Sequence, residues 1–414
     1  LVEAVPAVEV REEEWSLATR VAFRFCFAFL LLYYFPFPLD YVPKVGEWLA
    51  QPWNWLVPIA SQSLFGVKAE VLPNGSGDTT WNYVQLFLMV AASAAATLVW
   101  SLVSRASSYP RLHQWFRVYI RFALANIMIS YGVVKVIPSQ FPSPGLDRLM
   151  QPFGDASPMG LLWTFMGASA AYNVFTGLGE LVGGLLLTTR RTTLAGALLS
   201  AAVMTQVAVL NYCYDVPVKL FSSVLLFTAL FLIAPDAKRL VTFLFTGPDR
   251  AAWWKVGLRT AVVVGFVGYS LYGAASARKQ YGDLSPRSPL RGIWNVDELT
   301  IDGVAQPPLL TNATRWRRMI FDGTYGMSIQ LVSDQRNRYG IELAEGERSI
   351  VLKKRDDPAF QARFRYTRPD PHTLVVDGTM DGKKIHATMH MDPAKEFLLT
   401  SRGFHWINEY PFNR

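Results

Sequence analysis

Seven stretches of this chain, 17–38, 81–104, 117–137, 172–189, 193–212, 217–235 and 255–276, stay apolar over the length a helix needs to cross a hydrocarbon core, about 20 residues. In lipid a backbone must satisfy its own polar groups, so stretches of this kind fold as helices and pack into a bundle. From residue 290 the pattern changes. "MSIQLV", "GIELA", "SIVLKK", "FRYTR", "TLVVDGTM" and "KIHATMHM" alternate with period two and are separated by Asp-Gly, Pro-Asp-Pro and Asp-Pro turn signals. This predicts about eight antiparallel strands closed as a barrel or sandwich. The expected fold class is therefore an all-α membrane bundle followed by an antiparallel β barrel. The expected boundaries are an N-terminal segment 1–16, a transmembrane helical domain 17–276, a linker 277–290 that contains "SPRSPLRG", and a β domain 291–414.

Composition agrees with a mixed architecture. Of 414 residues, 51% are hydrophobic and 17% charged, too apolar for an ordinary soluble protein and too charged for one buried in lipid throughout. The net charge of +8 sits in short clusters between apolar segments, which favours a membrane face over nucleic acid. Arg105, Arg111, Arg117, Arg190, Arg191, Lys238, Arg239, Arg250 and Lys255 fall in one set of loops. Only Lys44, Lys68, Arg148 and Lys219 fall in the other. The N-terminus is therefore expected in the cytoplasm, and the β domain, after an odd number of crossings, outside it. Residues 39–80 carry Trp48, Trp53 and Trp55 and suit an interfacial helix or a re-entrant loop. "LVEAVPAVEVREEEW" has acids where a cleavable signal would have bases, so the first apolar segment is expected to remain in the mature protein. Cys26 and Cys213 have no motif spacing and read as packing residues.

Ionisable groups at membrane depth are costly, so each needs a partner or a wet cavity. Glu180 lies near the middle of its segment and shares a helical stripe with Asn173, Gly177 and Gly184, while Gly179 and Gly183 form a small-xxx-small pair that predicts close helix packing. Lys135 ends the third segment on a stripe with Tyr131, and Asn126 lies half a turn away from it. A lysine there can also snorkel to the headgroups. The turn "LNYCYDVPVKLFSS" adds Asn211, Tyr212, Asp215 and Lys219, "QPFGDASPMG" adds Asp155, and Gln206 lies below them. Interhelical glue and a surface Asp215–Lys219 pair are the plain structural alternatives. The functional reading is an outer-leaflet pocket for a lipid-soluble molecule. In it Lys135, Glu180 and Asp215 carry the chemistry, and Tyr131, Asp155, Asn173, Gln206, Asn211, Tyr212 and Lys219 line the site.

"YGVVK", with Gly132 and Lys135, and "GLGELVGGLLL", with Glu180, Gly183 and Gly184, resemble the helix-terminal Gly-x-x-Lys and the Glu-x-x-Gly-Gly of the DoxX family of bacterial membrane proteins. The likeness covers roughly 80–240. It implies a four-helix core in the bacterial cytoplasmic membrane and, through one branch that resembles the membrane subunit of thiosulfate:quinone oxidoreductase, a link to the quinone pool. A fold-level analogy to the membrane region of vitamin K-dependent γ-carboxylase would make Lys135 a base. "RGIWNV", with Gly292 and Trp294, resembles the Gly-x-Trp of the lipocalin first strand, which implies that Arg402 in "LLTSRGFHW" closes over Trp294. His386, Thr388 and His390 alternate on one strand face, a pattern that more often lines a polar surface than a metal site.

The chain has no Cys-x-x-Cys, no haem attachment motif, no dinucleotide fingerprint and no phosphate loop. None of its five histidines, His113, His372, His386, His390 and His405, falls inside the predicted membrane segments. No covalently bound cofactor or metal is expected, and any redox role has to use a bound quinone or a partner. The expectation is a membrane protein that binds a quinone-like molecule within an oxidoreductase system. Alternatives are a non-catalytic accessory subunit of a respiratory or photosynthetic complex and a carboxylase-like enzyme. Membrane lipid and membrane-complex subunits are the expected partners.

Overall fold

The computed structural model describes residues 14–137, 139–144, 148, 151–245, 253–281, 286–321, 326–354, 357–391 and 397–414. It divides into two compact units, one made of Leu1–Gly247 with Glu396–Arg414 and the other of Pro248–Lys395. The chain thus leaves the first unit, builds the second, and returns. The expected 291–414 domain is corrected at its C-terminal end, because residues after the last strand pack on the helices. Most of the expected N-terminal segment, and residues 282–285 of the expected linker, lie outside the described residues.

The first unit contains helices α1 (Leu17–Tyr34), α2 (Val45–Ala60), α3 (Thr80–Val103), α4 (Pro110–Val136), α5 (Pro158–Ala168), α6 (Ala170–Thr188), α7 (Thr193–Cys213), α8 (Lys219–Ile233) and α9 (Ala237–Phe245). Local chemistry sets their starts. Ser16 caps α1 by accepting from the Thr19 N–H, and Thr79 and Asn82 form a reciprocal capping box on α3. Ser157 and Ser169 cap α5 and α6, and Pro110 and Pro158 occupy first-turn positions where a missing N–H costs nothing. Among the described residues, six helical stretches are long and apolar enough to cross a membrane: Leu17–Tyr41, Thr80–Val103, Pro110–Val136, Ala170–Thr188, Thr193–Cys213 and Lys219–Phe245. This is the multi-span membrane architecture expected. The seventh predicted segment does form a helix, α10 (Trp253–Tyr281), but it belongs to the second unit and is not one of the six. Helix α4 begins before its predicted start at residue 117, which brings His113 into a span, packed edge-on to Trp15, Phe23 and Phe231.

Small residues determine how the bundle closes. Helices α4 and α6 make the most extensive helix–helix contact, with Gly132 against Gly177 and Gly184 against Ile129. A Cβ on Gly132 would sit 2.5 Å from the Leu181 nitrogen, and one on Gly177 would sit 2.7 Å from the Lys135 Cβ. Gly183 and Gly196 do the same between α6 and α7, where a Cβ on Gly183 would lie 3.0 Å from the Ser200 hydroxyl. Such contacts are how helices associate when lipid removes the hydrophobic drive.

In the second unit, strands β1 (Gly292–Ile301), β3 (Trp316–Phe321), β4 (Gly326–Leu331), β5 (Arg336–Ala344), β6 (Ser349–Lys353), β7 (Ala362–Asp370), β8 (Thr373–Met380) and β9 (Lys383–Met391) run as an antiparallel meander. The sheet closes through β1 on β9, and the two-residue β2 (Val304–Ala305) hangs on the end of β1. The hairpins at Asp302-Gly303 and Asp381-Gly382 have positive φ at both central residues, the conformation that two-residue turns between twisted strands require. Trp294, Met319, Phe321, Ile350, Phe364 and Met389 are buried inside the barrel. Trp294 donates its Nε1–H to the Leu290 carbonyl at 2.8 Å, and Arg368, not Arg402, lies over its ring. The expected Trp294–Arg402 closure is thus corrected: Arg402 follows the barrel and belongs to the helical unit.

Candidate functional site

The helical unit buries two groups of charges. In the first, Lys135 Nζ and a Glu180 carboxylate oxygen pair directly, and both residues are buried. The glycine contacts between α4 and α6 bring the two backbones close enough for this pairing. Asn173, on the same stripe of α6, donates to the Phe141 carbonyl at 3.1 Å. Glu180 Oε2, Asn173 Oδ1 and Ser200 Oγ are buried without a hydrogen-bond partner among the described residues.

The second group is assembled from four separate segments. Lys219, fully buried at the start of α8, holds Asp215 at 3.2 Å and Asp78 at 3.5 Å. Asp78 accepts from the Lys219 N–H at 2.8 Å and the Leu220 N–H at 3.0 Å, so it caps α8 from a distant part of the chain. Asp215, in left-handed backbone at φ 52°, also takes Arg402 at 2.6 Å, Asn408 Nδ2 at 3.0 Å and both the backbone N–H and Nδ1 of His405. Asn211 donates to Ser222, and Tyr212 stacks on Phe404. Burial raises the Asp78 carboxyl above the usual range, because desolvation outweighs the two backbone N–H groups and the Lys219 charge. Burial also acts to raise Asp215, but hydrogen bonds from Asn408 and Lys219, with the lysine charge and the His405 N–H, hold it below the usual range.

Beside this cluster lies an open cleft of about 300 Å³, lined by Tyr33 of α1, Gly75, Ser76 and Gly77, Asn82, Gln85, Leu86 and Met89 of α3, Tyr131 of α4, and Val218, Leu220 and Phe221 around the start of α8. Its lining mixes aromatic and aliphatic side chains with hydroxyl, amide and backbone groups. Tyr131 and Phe221 face each other at 5.8 Å between ring centres.

The sequence-predicted residues therefore separate. Lys135 and Glu180 meet, and Asp215, Lys219, Asn211 and Tyr212 gather at the α7–α8 turn, but of all of them only Tyr131 lines the cleft. Gln206 is exposed on α7 and does not lie beneath the others, because the α7 face that carries Met204 and Ala208 is the one that packs inward. Asp155 is exposed too, and its carbonyl accepts from Gln151. Sequence reasoning missed Asp78, His405, Asn408 and Glu409. The available signals were an Asp inside the glycine-rich "NGSGDTT" before a capped helix, and a final "RGFHWINEY" without strand alternation. His386 and His390 pair with Asp377 and Asp297 on the barrel surface. Among the described residues no group of three His, Cys, Asp or Glu could hold a metal ion.

No family model matches this chain, and no solved structure matches it. The uncharacterized protein YwoB of Bacillus subtilis (strain 168) is similar, with 30% identity over 126 residues that make up 30% of this chain and 76% of that protein. With that identity across three quarters of the relative, the chain belongs to the same family as YwoB.

Proposed function

We propose that the helical unit binds a lipophilic molecule with a quinone-like polar head in the cleft between α1, α3, α4 and α8, as part of a membrane oxidoreductase system. The observation that carries this reading is the make-up of the cleft. Leu86, Met89, Val218 and Phe221 offer apolar surface for a ring or tail, while Tyr33, Tyr131, Asn82 and Gln85 offer donors for a carbonyl. A few convergent polar groups in an apolar concavity are the general form of a small-molecule site. The oxidoreductase context comes from the DoxX resemblance. The outer-leaflet position comes from the distribution of Lys and Arg, which puts the Asp78 and Lys219 end outside the cytoplasm in the bacterial inner membrane.

In this reading Lys135, Glu180 and Asp215 act as structural clamps. Lys135 and Glu180 satisfy each other's charge away from the cleft, and Asp215 is held by Lys219, Arg402, His405 and Asn408. The test is organic extraction of protein purified in mild detergent, followed by mass spectrometry. About one quinone per chain in the parent, lost in the cleft-filling variant Leu86→Trp, supports the reading. Protein that carries no quinone and fails to bind a short-chain benzoquinone contradicts it.

A further inference from the structure

The segment that returns from the barrel reaches the cleft indirectly, through the short loop that forms one of its walls. Gly75, Ser76 and Gly77 line that wall, Gly75 in left-handed backbone at φ +82°, and within the loop the Ser76 N–H donates to Asn74 Oδ1 at 2.9 Å. It is also held from outside. Ser76 Oγ donates to the Asn408 carbonyl at 2.6 Å, Asn74 Nδ2 to the Glu409 carbonyl at 2.5 Å, and the Asn408 N–H to the Asp78 carbonyl at 3.0 Å. The Glu409 carboxylate accepts from the Thr80 N–H at 3.1 Å and from the Thr80 hydroxyl, satisfying a donor that the first turn of α3 leaves open. Asn408 also donates to Asp215, next to the α8 start that forms the facing wall, and the Gly77 N–H donates to the Pro217 carbonyl at 2.7 Å.

We propose that Asn408 and Glu409 are positioning residues of the ligand site: the returning segment holds the 75–77 wall against the start of α8 and thereby sets the affinity for a ligand with a carbonyl or phenol head. The proposal rests on the reading of the cleft as the ligand site. It assigns a role to a part of the chain that composition and alternation would leave with the barrel. Neither residue touches the cleft, so both act through Ser76, Thr80, Asp78 and Asp215.

The experiment uses the full-length protein in detergent and the variants Glu409→Ala, Glu409→Gln and Ser76→Ala, with hydrogen exchange followed over residues 72–80 and 216–222 and a short-chain benzoquinone titrated by tryptophan fluorescence. Glu409→Ala is expected to speed exchange in both peptides and to weaken quinone binding about tenfold. Glu409→Gln, which keeps an acceptor for Thr80, is expected to restore both to within about threefold, and Ser76→Ala to give a smaller shift in the same direction. Unchanged exchange in Glu409→Ala and Ser76→Ala overturns the positioning role, whatever the quinone does. Faster exchange with unchanged affinity overturns the claim that the segment sets binding. A parent protein that binds no quinone overturns the reading of the cleft and the affinity claim with it, while the exchange data still decide whether the segment holds the wall.

Discussion

The two buried charge groups of the helical unit solve the same problem in different ways. The Lys135–Glu180 pair is a closed contact between two helices that touch through glycine, and it leaves Glu180 Oε2 without a partner among the described residues. The Asp78–Asp215–Lys219–Arg402 group brings together a loop, a turn, a helix start and a returning C-terminal segment, and both of its carboxylates accept several hydrogen bonds. Removing one member of either group leaves a buried charge, but only the second group also carries a helix cap and the attachment of a distant segment. A buried pair alone is weak evidence for stability, since an apolar pair of similar volume can replace it. A network that ties four segments together has no such simple substitute.

The largest effect should come from Asp78→Ala. It removes the acceptor for two backbone N–H groups of α8 and one counter-ion of Lys219, and thermal unfolding in detergent should report a loss of about 3–5 kcal/mol. Next, Glu180→Ala alone should cost about 3 kcal/mol, whereas the double variant Lys135→Met with Glu180→Leu should stay within about 1 kcal/mol of the parent. If that double variant is as damaged as the single one, the pair does more than close a contact, and the contrast between the two groups weakens. Gly177→Ala should cost about 1–3 kcal/mol by forcing α4 and α6 apart, and the mobility of a spin label at the end of α4 should rise with it.

The smallest effect is that of pH. A carboxyl whose folded value lies above its unfolded one adds stability below the unfolded value and loses it as pH rises through the folded value, which is the case of Asp78. Asp215 has the opposite sign: its contribution is present above the usual carboxylate range and lost as pH falls through its depressed value. Acidification from neutrality toward the usual carboxylate range should therefore bring a modest stability gain that Asp78→Asn abolishes. The loss from Asp215 should follow only at lower pH.

What could be read from the sequence divides along the same line. Glu180 and Lys135 stood out because each is an ionisable side chain in an apolar run, and the glycines beside them announced close packing. The barrel's alternation and its Asp-Gly turns were equally local signals, and eight strands close as expected. The second charge group was only half visible. Asp215 and Lys219 are four residues apart, but Asp78 lies 141 residues before Lys219, and Asn408 lies 193 residues after Asp215. No periodicity links residues so far apart, and the lipocalin resemblance of "RGIWNV" draws Arg402 to the barrel as the arginine that closes over Trp294. Gln206 failed for a different reason: on a helix with lipid-like residues all round, polarity alone does not tell which face packs inward.

The central claim is that the ligand site is the cleft and not the buried ion pair. Native mass spectrometry of the parent, of Leu86→Trp and of the Lys135→Met/Glu180→Leu double variant tests it most directly. The account predicts one bound lipophilic molecule in the parent and in the double variant, and none in Leu86→Trp. A molecule retained by Leu86→Trp but lost from the double variant would move the site to Lys135 and Glu180 and contradict the account.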